Sequence, residues 1–349
     1  MTDSVLIIGG GPAGLEAARL LSDIGTPSIV VEKRGFLGGT PIAGNYAALT
    51  HGFHSADDLM GTIVNEVTSS DIVDVRLNSE VVACSGEAGN FEVTIKSDSG
   101  ESKVNAGAII VATGFQHFDP GRETQIYGYY EYPDVITILD AEKMLKDEKF
   151  LTSEGKVPER VCFIQCVGSR DRQIGNEYCS KVCCGISSKQ AIEVRQQSPD
   201  TKVFIFYIDM RMYGYWENEI YWPAQEQHKV NYVKGIITEI IKKGDRLLIR
   251  GEDTTMGRPM EVEMDIVVLA VGMEASRGTR DVSKILGIKQ NKYQFIDVPH
   301  DALDPTATSV PGIFVAGAAA GPKDLDDTMG MAGAAAIKAS GLVRKLAKA

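Results

Sequence analysis

Tryptophan occurs only twice in these 349 residues and cysteine six times, and basic side chains are outnumbered 36 to 47, for a net charge of −11. That balance excludes a protein that grips nucleic acid through a basic face replacing phosphate counterions. It also disfavours docking on anionic lipid. No apolar stretch approaches the ~20 residues of a membrane span. The start, Met1-Thr2-Asp3-Ser4, lacks the basic region and cleavage site of a signal peptide, so a cytoplasmic protein is expected. There is no Cys-x-x-Cys pair, the usual redox dithiol. What the chain has in quantity is glycine, 36 residues gathered in discrete clusters. Its length fits two domains at roughly 100–200 residues each.

The first glycine cluster follows a buried-strand pattern, Val5-Leu6-Ile7-Ile8, and places Gly9, Gly11 and Gly14 in a Gly-x-Gly-x-x-Gly turn. Leu15, Ala18 and Leu21 then mark a helical stripe, and a second apolar run, Ser28 to Val31, ends at Glu32, 18 residues beyond Gly14. The order has a mechanism. Gly9 permits the turn out of the strand, Gly11 admits a pyrophosphate to the backbone, and Gly14 lets the helix pack closely. Free N–H groups at the helix start bind the anion, and Glu32 accepts bonds from ribose hydroxyls. Three later features favour FAD over NAD: the pair Gly38-Gly39 before Thr40, a strand ending at Thr113-Gly114, and a strand ending at Gly317-Ala318.

The middle of the chain begins a second strand–turn pattern. Arg160 to Val167 reads as its strand, but the closely spaced glycines are missing, so a nicotinamide nucleotide is not expected there. Cysteines stand in their place: Cys166, then twelve residues, Cys179, then three, then adjacent Cys183 and Cys184. Four thiolates suit zinc or an iron–sulfur cluster. Adjacent cysteines are awkward for tetrahedral zinc, whose ligand pairs stand two to four residues apart, whereas a cube offers each a separate iron. Buried structural thiols remain the simpler account of Cys162 and Cys84.

Taken together, the Gly-rich turn, Glu32, the Ala-Thr-Gly strand and the C-terminal strand end resemble the thioredoxin-reductase-like flavoproteins with two dinucleotide-binding domains. Gln-Cys-Val-Gly-Ser-Arg-Asp at 165–171, Tyr-Cys-Ser at 178–180, Cys-Cys at 183–184 and Ala-Gly-Ala-Ala-x-Gly-Pro-Lys-Asp at 316–324 narrow this. They resemble the A subunit of heterodisulfide reductase, in a short form similar to that in the complexes of sulfur-oxidising bacteria. A related short subunit belongs to the quinone-interacting complex of sulfate reducers. The resemblance implies an α/β fold of two Rossmann-like, three-layer domains with a β-rich hairpin insertion near 75–105. The expected boundaries are 1–150 plus 290–349 for FAD and 155–290 for the cluster domain. It further implies FAD contacts from Gly9, Gly11, Pro12, Ala13, Gly14, Glu32, Lys33, Gly38, Gly39, Thr40, Val81, Thr113, Gly114, Gly317, Ala318, Lys323, Asp324 and Thr328. A [4Fe–4S] cluster on Cys166, Cys179, Cys183 and Cys184, a homodimer and partner subunits of a heterodisulfide-reductase-like complex complete the implied set.

Ala318 replaces the Asp that the broader family uses on the flavin's ribityl chain, with Asp324 or Asp327 as substitutes. The runs of cysteines that hold additional ferredoxin-type clusters in longer subunits are missing, which puts flavin-based electron bifurcation in doubt. Aromatic residues at 127–132 and 213–222 suit either a docking surface or packing within their own domain, and His51 and His54 read as loop residues. The expected function is an electron-transfer oxidoreductase subunit in sulfur-compound oxidation. Two alternatives stay open: a stand-alone NAD(P)H-dependent flavin disulfide reductase, and a zinc-bearing flavoprotein scaffold.

Overall fold

The computed structural model describes residues 3–44, 46 and 50–347. The chain divides into two units, one of Met1–Ala43, Ala56–Gln116 and Glu274–Ala349, the other of Gly44–Ser55 and His117–Met273.

In the first unit, Val5–Ile8 pairs in parallel with Ser28–Val31 on one side and Ala108–Val111 on the other. Val73–Arg76 and Ile313–Val315 extend this to a five-stranded parallel sheet. Side chains alternate across it. Val5, Ile7, Val30 and Ile110 face the helices Pro12–Asp23 and Leu325–Ala347, and Leu6, Ile8, Ile109 and Val315 join Val81, Phe91, Val93 and Ile95 of a second layer. That layer is the three-stranded antiparallel sheet Ser79–Glu87, Asn90–Ser97 and Gly100–Ala106. Helix, parallel sheet and antiparallel sheet make three layers. The C-terminal helix packs through Ala332, Ala335, Ala336 and Ala339, all fully buried, so small side chains set its close approach.

The second unit is built on a seven-stranded mixed sheet centred on Arg160–Val167 and Ile266–Val271. Its helices Ile138–Lys146 and Cys183–Gln197 contribute to the core around Phe163, Ile192 and Leu269. The units part at Gln116 and at Met273, which corrects the expected boundaries near 150 and 290. The reason is strand pairing: Val135–Thr137 adds in parallel to Ile266–Val271, drawing residues from 117 onward into the second unit. From Glu274 the chain is in the first unit, where the helix Arg277–Ile285 packs through Val282 and Leu286.

Candidate functional site

The first unit gathers most of its expected ligand-binding residues around one turn. Gly9 and Gly14 are forced by contact: a Cβ on Gly14 would lie 1.8 Å from the Gly9 carbonyl oxygen, and one on Gly9 2.3 Å from that of Ala112. The helix beginning at Pro12 has no side-chain cap and no acidic residue in its first turn. Its first internal bond runs from the Leu15 N–H to the Gly11 carbonyl, so the amides of Ala13 and Gly14 are left for an anion. Gly39 opens the short helix Gly39–Ala43, which includes Thr40, and its own added Cβ would meet Gly11 Cα at 2.6 Å. The Gly38 N–H donates to the Gly10 carbonyl.

Glu32, 8% exposed, is held at the strand end. Its Oε2 accepts from the Gly10 N–H at 2.6 Å and its Oε1 from the Arg34 N–H at 2.8 Å. A carboxylate accepts about four bonds, so lone pairs remain for ribose hydroxyls. A Cβ on Gly317 would stand 2.8 Å from that of Ala13 and 3.2 Å from the Thr328 methyl, and Ala318 is buried beside it.

Other expected contacts are arranged differently. Lys33 turns outward to Glu80 at 2.5 Å. The Val81 side chain lies in the core, so only its backbone is left to meet a ligand. Thr113 bonds the Thr279 hydroxyl at 2.7 Å, and Thr279 also donates to the Gly114 carbonyl. Asp324 Oδ1 accepts from the Asp327 N–H at 2.8 Å, and Thr328 Oγ1 donates to the Asp324 carbonyl. Asp324 thus caps the C-terminal helix, with half-buried Lys323 preceding it.

In the second unit the strand Arg160–Val167 slips register between Ile164 and Val167, and Cys166 takes a left-handed φ of +64°. This turns the chain out of the strand where a dinucleotide site has its glycine turn. Gly168 packs directly against the Phe118 ring, where an added Cβ would fall 2.0 Å from it. The helix Cys183–Gln197 opposite has no capping side chain and no acid in its first turn, and it begins with the two adjacent cysteines. Cys183 is buried as the thiol, pushed up by its bonds to Cys166 and Cys184 and by burial. The Cys183 bond in turn lowers Cys166, helped by Arg170. The same bond draws Cys184 down to about 7, with the Arg211 backbone N–H adding to it. Cys179 Sγ accepts the Lys181 N–H at 3.3 Å.

Cys183 therefore bonds both Cys166 and Cys184, and Cys179 lies in the adjoining loop. Among the described residues no three His, Cys, Asp or Glu side chains converge as around a single metal ion. The donor chemistry nonetheless suits an anionic thiolate cluster: N–H groups aim at sulfur and a helix N-terminus carries two of the cysteines. Cys162, fully buried in the strand, is pushed up by burial and stands apart as a core residue.

Several polar residues here had no clear sequence signal. Lys189, 1% exposed, reaches Glu142 at 2.6 Å and Glu193 at 3.5 Å, and burial pushes Glu193 up to about 7 against the pull of Lys189. Buried Tyr46 bonds His117 at 3.3 Å, and burial lowers that imidazole to about 4. Only Lys189 left a trace, as a cation between Ile186 and Ile192 in a helix otherwise rich in buried residues. Of the aromatic stretch, Trp216 packs on Gly185 and Ile220 enters the core, while Tyr213, Tyr215 and Trp222 are exposed. His51 stacks on Tyr215 with ring centres 5.4 Å apart.

Residues 3–164 match the family model for pyridine nucleotide-disulphide oxidoreductases. The A subunit of the H2:CoB-CoM heterodisulfide,ferredoxin reductase from Methanothermobacter marburgensis is 31% identical over 97% of this chain. The iron-sulfur A subunit of CoB–CoM heterodisulfide reductase from Methanocaldococcus jannaschii is 32% identical over the same share. Over most of its length the chain is similar to heterodisulfide reductase A subunits. It spans less than two thirds of these relatives' own length, 63% and 64%. Thioredoxin reductase from T. acidophilum shares the fold along both whole chains, with a TM-score of 0.66 at 19% identity. An NAD-dependent persulfide reductase from A. fulgidus does so with a TM-score of 0.60 at 18% identity, over 97% of this chain and 59% of its own. The chain thus resembles pyridine nucleotide-disulphide oxidoreductases over residues 3–164 and has a thioredoxin-reductase-like fold. Among its described residues no helix is long and apolar enough to cross a membrane.

Proposed function

We propose that the chain is an electron-transfer subunit, with FAD in its first unit and one [4Fe–4S] cluster in its second, on Cys166, Cys179, Cys183 and Cys184. The observation that carries this is the turn after Arg160–Val167: it lacks closely spaced glycines, and Cys166 and Cys184 both bond Cys183 at the uncapped start of the helix Cys183–Gln197. Such a flavin accepts electrons in pairs and such a cluster passes them singly.

The residues divide the binding work. The amides of Ala13 and Gly14 meet the pyrophosphate over Gly11, and Glu32 orients the ribose. The loops at 166–170, 179–181 and 209–211 bring N–H groups to the sulfurs. The partner is a further subunit of a heterodisulfide-reductase-like complex in the cytoplasm, serving sulfur-compound oxidation, and the chain itself forms a homodimer. The relatives named as A subunits support the reading of a partner subunit.

Anaerobically purified protein should contain about four irons and four acid-labile sulfides per FAD. FAD with zinc alone, or with no metal after anaerobic reconstitution, would overturn the relay and reopen the scaffold and direct-reductase readings.

A further inference from the structure

Arg170 has a left-handed backbone, φ +58°, fixed by a bond from its N–H to the Tyr178 carbonyl at 2.9 Å. Its side chain is 18% exposed. One guanidinium nitrogen donates to Cys166 Sγ over 3.9 Å, and the fork closes on Asp209, with Nη2 to Oδ2 at 3.1 Å. The same carboxylate accepts from Arg211 Nε at 3.2 Å and Nη2 at 3.4 Å. Arg211 gives its backbone N–H to Cys184 and lies within electrostatic reach of Cys179. Two guanidinium groups thus share one carboxylate, leaving a net single positive charge against sulfurs drawn from different loops. Surface ion pairs contribute little, but here the half-shielded partner is the thiolate set.

We propose that the Arg170–Asp209–Arg211 bridge sets the reduction potential of the sulfur-ligated centre, with Arg170 raising it and Asp209 limiting the rise. The inference rests on the cluster reading above. Reduction adds one negative charge to the thiolate-bound centre. A cation donating an N–H to a ligand sulfur stabilises the reduced form more than the oxidised one, as hydrogen bonds to cluster sulfurs do generally. Asp209 opposes that effect by drawing the guanidinium charge to itself and fixes where the fork points. Arg170 is thus a positioning and electrostatic residue, distinct from the ligands.

The test is an electron paramagnetic resonance redox titration of anaerobically reconstituted protein, with iron and sulfide measured on each sample. Arg170→Gln should keep its iron and favour oxidation at least tenfold, a midpoint about 59 mV more negative for a one-electron couple. Arg170→Lys, which keeps charge without the fork, should fall between Gln and wild type, and Asp209→Asn should move the midpoint positive. Full iron with wild-type midpoints in both Arg170→Gln and Asp209→Asn overturns the proposal while leaving the cluster reading intact. Wild-type protein that holds no iron or sulfide removes the cluster reading, and this proposal with it. Should Arg170→Gln lose its iron, Asp209→Asn decides, a positive shift supporting the bridge and an unmoved midpoint overturning it.

Discussion

Single side chains carry the sharpest consequences. Glu32 is pinned by two backbone amides, so its loss removes an oriented acceptor and leaves those amides without their partner. Hydrogen bonds to a charged group are worth roughly 1.5–3 kcal/mol each. Glu32→Ala is expected to raise the FAD dissociation constant about tenfold or more, measured by flavin fluorescence; an unchanged constant would move the adenosine elsewhere. Cys183 touches both Cys166 and Cys184. Cys183→Ser should remove the broad visible absorption of an iron–sulfur centre and lower the iron content while the flavin peaks persist. Retained iron would take Cys183 out of the ligand set.

At the scale of elements, the helix Cys183–Gln197 combines two tasks. Its first turn presents cysteines, and one and a half turns later Lys189 enters the core against Glu142 of the helix Ile138–Lys146. Glu193, on the same helix, rises from an ordinary 4.5 to about 7 because burial penalises its charge. The native protein therefore binds more protons than the unfolded chain between those values, and this group makes stability fall as pH rises through that window. Glu193→Gln should unfold with wild-type stability near about pH 5 and be more stable by on the order of 2 kcal/mol near about pH 8. Equal denaturant midpoints at both pH values would refute the burial argument. The C-terminal helix depends on its cap: Asp324→Ala should cost about 1 kcal/mol, seen as a lowered melting temperature.

For the whole molecule, the strand Val5–Ile8 of the first unit runs into a Gly-x-Gly-x-x-Gly turn and the strand Arg160–Val167 of the second does not. In the second unit the closely spaced glycines that admit a pyrophosphate to the backbone are missing, and Gly168 packs on the Phe118 ring. Anaerobic mixing with NADH is therefore expected to leave the flavin's visible absorption in its oxidised form. Rapid bleaching at stoichiometric NADH would favour the direct-reductase reading over the relay.

The strand, turn, helix and Glu32 of the first unit are legible in sequence because each obeys local rules: apolar runs, obligatory glycines and a fixed spacing before a carboxylate. The cysteine set is legible for the same reason, being nearly contiguous in sequence. The unit boundary at Gln116 is not, because it depends on Val135–Thr137 pairing with Ile266–Val271, more than a hundred residues away. Asp324 is ambiguous in sequence, since a carboxylate before a helix can serve a ribityl chain or a cap until its partner amide is located. Asp209 and Glu142 give no sequence signal at all. Their meaning comes from Arg170 and Lys189, which meet them across 39 and 47 residues of chain. Local sequence thus determined where backbone must bend and which thiols are available, while tertiary structure alone decided which charges face one another, because that depends on long-range packing.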